Sequence, residues 1–225
     1  MDPFRVCLAL GPVAMYMLLL GAINLSRRPL LVSGLRDAAA LAVAISGLIV
    51  IGPMELLFPV EAAIVYGPYI WLLLLALYVM CVMLWLLMLR PRLVIYNITA
   101  DKLRPILAEV VDRLDAEARW AGDSLTLPTL GAQLYVDGFM ALRCVSLVSA
   151  GGRQNHAGWR RLETALESAL AREEVARNPR GISLIGVGLL LILAVVWAIA
   201  QNPQAVAQSL LDIARGLLRM AGTWQ

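Results

Sequence analysis

The chain has 225 residues, of which 60% are hydrophobic and 16% charged, and it carries a formal net charge of +3. Soluble globular domains average about 45–50% apolar and about 25% charged residues, and a chain this short cannot hide such an excess in one core. Together with a mean hydropathy of +0.76, this excludes an ordinary soluble enzyme, a disordered tail and a secreted disulfide scaffold, and it makes lipid part of the solvent.

A helix needs about 20 apolar residues to cross the hydrocarbon core, and four stretches meet or approach that length. Val6–Leu25 is interrupted only by Gly11-Pro12 and Asn24. It is longer than a signal-peptide core, and Arg27-Arg28 follow it without a small-x-small cleavage site, so it reads as a retained anchor. Ala38 to about Phe58 comes second, with Glu55 near its end; Val65–Leu89 and Ile182–Ala200 contain no charge. Of three Gly-Pro pairs, Gly52-Pro53 and Gly67-Pro68 bracket a hairpin turn, and only Pro12 falls within a span, where it reads as a tolerated kink. Small residues at Ala40, Ala44, Gly186 and Gly188 are available for helix association.

Arginine in the short connections sets the expected orientation. Arg27, Arg28 and Arg36 occupy the first connection, Glu55 and Glu61 the second, Arg90 and Arg92 follow the third span, and Arg177 and Arg180 precede the fourth. These alternate consistently: N-terminus outside, residues 93–180 cytoplasmic, at the cell membrane. Within 93–180 there are eleven basic and eleven acidic residues, so no basic face argues for nucleic acid.

Beyond Arg92 the apolar period changes. Leu93–Ile98 is β-branched and aromatic, as in a strand. Thr99 is placed to cap a helix from Ala100 to about Ala118, whose stripe is Leu103, Ile106, Leu107, Val110, Val111 and Leu114. Three further strands are expected at Ser124–Leu127, Ala132–Val136 (closed by an Asp137-Gly138 turn) and Ala141–Val148. A second helix, about Ala157–Val175, buries Trp159, Leu162, Leu166 and Leu170. The expected fold is membrane α-helical, with four transmembrane helices and a small α+β cytoplasmic domain. That domain has the order β-α-β-β-β-α, a largely antiparallel four-stranded sheet under two helices. Asn202-Pro203 then opens a C-terminal amphipathic helix. Domains are expected at 1–92, 93–180, 181–201 and 202–225.

Chemistry is sparse. The segment Ser149–Arg161 sets glycines, Arg153 and His156 before a helix whose first turn carries Arg160 and Arg161, an arrangement that suits an anion or lipid headgroup. A solvated loop with surface arginines explains it too, and no phosphate-loop or dinucleotide signature is present. His156, the single histidine, has no nucleophile or carboxylate at a recognisable spacing. Glu55 and Glu61 are intramembrane candidates, although their place at a span boundary also suits water-facing loop residues. Asn97-Ile98-Thr99 fits the glycosylation pattern but falls on the cytoplasmic side. Cys7, Cys81 and Cys144 form no C-x-x-C pair and read as small hydrophobes. No catalytic constellation, metal site or cofactor is expected. The preferred reading is a membrane-anchored interaction or scaffold protein. Its expected partners are membrane lipids and either a partner protein or a second copy, with no nucleic acid. A transporter or channel subunit is the alternative, and a surface enzyme the least supported.

Overall fold

The computed structural model describes residues 3–54, 69–139, 143–151 and 155–222. Four helices in it are long and apolar enough to cross a membrane. The first, α1, spans Pro3–Leu25 and keeps Pro12 inside it. The second begins as α2 at Gly34–Ile49 and continues as a π-helical turn over Val50–Met54, where Pro53 cannot donate a backbone hydrogen bond. The third, α3, is Tyr69–Met88 and the fourth, α6, is Arg180–Gln201. Only Ile70 is buried within α3, and a helix apolar around its whole circumference is at home in lipid rather than water. Helix α7, Pro203–Gly222, opens at the expected Asn202-Pro203 pair.

The remaining elements form a sheet with two helices. Strands β1 (Leu30–Ser33), β2 (Arg92–Tyr96), β3 (Arg119–Ala121), β4 (Ser124–Leu127), β5 (Ala132–Phe139) and β6 (Cys144–Ser149) lie in the order β1-β2-β6-β5-β4-β3. All neighbours run antiparallel. Helices α4 (Ala100–Leu114) and α5 (His156–Leu170) close one face. Leu103, Leu107 and Val111 of α4 and Leu162, Leu166 and Leu170 of α5 share a core with Ile95, Leu134, Val145 and Leu147 of the sheet. Period-2 strands and period-3.6 helices bring precisely these stripes together.

The chain divides into two compact units. One comprises Met1–Leu18, Ala40–Leu87 and Gly186–Gln225; the other joins Leu19–Ala39 to Met88–Ile185. In the first, the Tyr78 hydroxyl of α3 donates to the Ala42 carbonyl of α2 (2.8 Å). Gly188 of α6 faces Leu18 and Ala14 of α1, so this small residue serves contact within the chain, whereas Gly186 faces open space.

The sheet differs from expectation in four respects. It has six strands, not four, because β1 is drawn from the first connection and β3 forms an edge hairpin with β4 through Gly122, at φ +64°. Asp137-Gly138 is not a turn: Asp137 pairs with Ser146 and Gly138 with Val145, because β5 continues along β6. Thr99 occupies the N-cap of α4 but its side chain makes no capping bond. Finally, α4 stops at Leu114 and α5 at Leu170, short of the expected Ala118 and Val175.

The early end of α4 has a clear cause. Asp115 turns into an extended conformation, and its buried carboxylate accepts from the Thr129 amide (2.8 Å), the Thr129 hydroxyl (2.8 Å), the Leu130 amide (3.3 Å) and the Glu117 amide (3.0 Å). Burial by itself raises the carboxyl pKa, but these four hydrogen bonds outweigh it and hold Asp115 below the usual aspartate range. A depressed folded-state pKa gives stability that is present above the unfolded value of about 3.9 and lost as pH falls through the folded value. Acid titration of domain unfolding, followed by tryptophan fluorescence, should therefore show a drop below about pH 4 that is diminished in Asp115→Asn. At the start of α5, a Cβ on Gly158 would lie 2.0 Å from the Leu130 carbonyl oxygen. Gly158→Ala must push the helix off the sheet, and thermal unfolding should register a loss of about 1–3 kcal/mol.

Candidate functional site: a polar junction at the span ends

The connection Ser26–Ser33 leaves α1 with unpaired backbone carbonyls, as every helix end does, and the domain supplies their donors. Asn24, in the last turn of α1, donates to the Leu20 carbonyl (2.9 Å). Its side-chain and backbone oxygens accept from Asn178, at 3.0 Å each. Asn178 in turn accepts from the Arg180 amide (3.2 Å) and so caps the start of α6. Both asparagines are buried. The carbonyls that follow are taken in order: Ser26 accepts from the Asn97 side chain (2.7 Å) and Arg27 from the Val175 amide (2.8 Å). The Arg143 guanidinium donates to the Ala176 carbonyl (2.9 Å), and the Ile98 amide to the Arg143 carbonyl (2.8 Å).

Backbone strain concentrates in the same place. Asn97 and Arg143 stand at φ +63° and +47°, and they are the non-glycine residues in the left-handed region among those described. Such conformations cost on the order of 1–3 kcal/mol each and persist where surrounding contacts over-determine them. The Asn97 Oδ1 atom is also buried without a donor among the described residues.

A second cluster lies on the sheet face opposite α4 and α5. Asp37, in the first turn of α2, pairs with Arg92 of β2 (3.2 Å) and accepts a hydrogen bond from the Tyr96 hydroxyl. Cys144 of β6 stands close by. Burial pushes its thiol up to about 11; the Asp37 and Asp137 carboxylates add to the rise and Arg92 opposes it. The group is a neutral thiol at physiological pH, and the thiolate is the nucleophilic form. The three cysteines are free, Cys7 in α1 and Cys81 in α3.

The residues singled out in the sequence are placed elsewhere. His156, Arg160 and Arg161 are exposed along the start of α5. Asn155 caps that helix by accepting from the Ala157 amide (2.9 Å), which occupies one of the donors an anion would use. Arg153, Glu55 and Glu61 lie outside the described residues. Asn97, read as part of a glycosylation pattern, is buried and committed to Ser26. Sequence reasoning missed the asparagine junction, although Asn24 within an apolar span was a signal, since amides at such depth require partners. A cleft of about 400 Å³ also opens between α4 and α5, floored by Ile106, Leu114, Ala165 and Ala169 with Glu109 and Arg113 at its rim. No group of three or more His, Cys, Asp or Glu side chains suited to a metal occurs among the described residues. No protein-family model, curated protein or solved structure matches the chain.

Replacing Asn178 by Ala leaves the Asn24 side-chain oxygen without its donor and α6 without its cap. A buried polar atom left unpaired costs about 1–3 kcal/mol. The thermal midpoint of the detergent-solubilised protein should fall accordingly, whereas Arg161→Ala, at an exposed position, should change it little.

Proposed function

We propose that the protein is an integral membrane scaffold or assembly protein. Its α+β domain serves as an interaction module for a partner protein or for lipid headgroups, and its spans anchor it at the cell membrane. The N-terminus lies outside and residues 93–180 are cytoplasmic. Strand β1 carries this reading: the connection between two spans is itself a strand of the sheet, paired from Leu30↔Tyr96 to Ser33↔Leu93. A module whose sheet includes the connection between two candidate spans suits a membrane-anchored protein that holds a partner.

Three polar side chains among the described residues of the candidate spans support the same choice over transport. Asn24, Ser46 and Tyr78 each donate to a backbone carbonyl, of Leu20, Val43 and Ala42 respectively. A conducting pathway needs polar groups left available to a solute, and these are engaged. The π-helical turn at Val50–Met54 favours the alternative, a transporter or channel subunit, since such turns often occur at functional sites.

Three measurements test the reading together. The chain should stay in membranes through alkaline carbonate, and a reporter fused near residue 125 should be cytoplasmic. A partner recovered with the full-length protein in mild detergent should be lost when Glu109 and Arg113 at the rim of the α4–α5 cleft are changed to Ala. Solute flux in proteoliposomes that Glu55→Gln abolishes would instead favour transport.

A further inference from the structure

Five exposed arginines, Arg27, Arg28, Arg36, Arg90 and Arg177, stand within three residues of the ends of the four candidate spans, all in one compact unit. The fold gathers them from distant parts of the chain. The hydrogen bond from the Val175 amide to the Arg27 carbonyl (2.8 Å) joins the segment of Arg27 and Arg28 to the segment that carries Arg177 two residues on. At the other end of β1, α2 starts so close to β2 that a Cβ on Gly34 would lie 2.0 Å from the Arg92 side chain. That contact holds the start of α2, which carries Arg36, against the start of β2, which Arg90 precedes by two residues. The two groups are therefore separated by strand β1, about 10 Å long at some 3.4 Å per residue.

None of the five makes an ion pair with a described residue. Asp37, the acid nearest to Arg36 in the chain, is committed to Arg92 and Tyr96. Glu173 and Glu174, before Arg177, line a different cleft, beside Asp101 and Lys102 of α4. Exposed guanidinium groups without an ion pair at the ends of candidate spans are available to an anion. A phosphate diester takes two N–H donors from one guanidinium in a planar fork, and span ends meet such groups in the headgroup layer.

We infer that these two arginine groups, brought together at either end of β1, form a binding site for the headgroup phosphates of anionic phospholipids in the adjoining leaflet. The inference rests on the proposed membrane reading and deepens it by naming lipid, through residues other than Arg153, Arg160 and Arg161, as the ligand of the domain's membrane-side edge.

The test uses the full-length protein in mild detergent, with bound phosphatidylglycerol and phosphatidylcholine counted by native mass spectrometry. The wild type should retain phosphatidylglycerol in preference to phosphatidylcholine and release it as salt is raised. Each arginine near the surface contributes about fivefold, so Arg27→Gln, Arg28→Gln and Arg177→Gln combined should weaken phosphatidylglycerol binding about a hundredfold. The pair Arg36→Gln and Arg90→Gln should weaken it by about 25-fold, and provides a separate variant should the triple one misfold. Arg160→Gln with Arg161→Gln should leave binding unchanged. Equal retention of the two lipids by the wild type, or loss only in the Arg160 and Arg161 variant, would overturn the inference. Release of the chain from membranes by carbonate would instead sink the membrane reading itself.

Discussion

Four residues, Leu30–Ser33, link the two halves of this protein's character. They connect α1 to α2, and their backbone pairs antiparallel with β2. A connection between two candidate spans must satisfy its backbone donors and acceptors, because an unpaired buried group costs about as much as a lost hydrogen bond. By joining the sheet, the connection meets that requirement and ties the domain to two spans at once. The junction of Asn24 with Asn178, and of Arg27 with Val175, extends the attachment to the start of α6.

The strain at Asn97 and Arg143 follows from this attachment. Asn97 directly follows the last residue of β2 and Arg143 directly precedes the first of β6. At that point the Ile98 amide bonds to the Arg143 carbonyl. Side-chain bonds hold the left-handed backbone there: the Asn97 Nδ2 group donates to the Ser26 carbonyl and the Arg143 guanidinium to the Ala176 carbonyl. The most strained part of the domain is therefore also the part that touches the ends of α1 and the segment leading into α6.

The two sheet faces play different parts. One carries the apolar core under α4 and α5, where Asp115 fixes the end of α4 to the β4–β5 turn. The other carries Asp37, Arg92, Tyr96 and the neutral Cys144 thiol. A core of aliphatic side chains makes the domain a folded body, while polar contacts decide how it joins its anchors.

Much of the fold was legible in the sequence because hydrophobic periodicity is a local property. Apolar runs such as Tyr69–Met88 mark a candidate span wherever they occur, and the stripes of α4 and α5 and the alternation in β4 and β6 need no distant information. Gly122-Asp123 carried a local signal for the β3–β4 hairpin, although a three-residue edge strand is too short to show a period. The arginines near the span ends were visible one by one. What the sequence could not convey is pairing: Leu30–Ser33 looks like an ordinary loop until β2 lies beside it, and Asn24 looks like a blemish in a span until Asn178 arrives from 154 positions away. Local pattern determined which segments became helix, strand and span. Tertiary structure decided which carbonyls met which donors and which arginines became neighbours, because those are distances between remote parts of the chain and no window of sequence contains them.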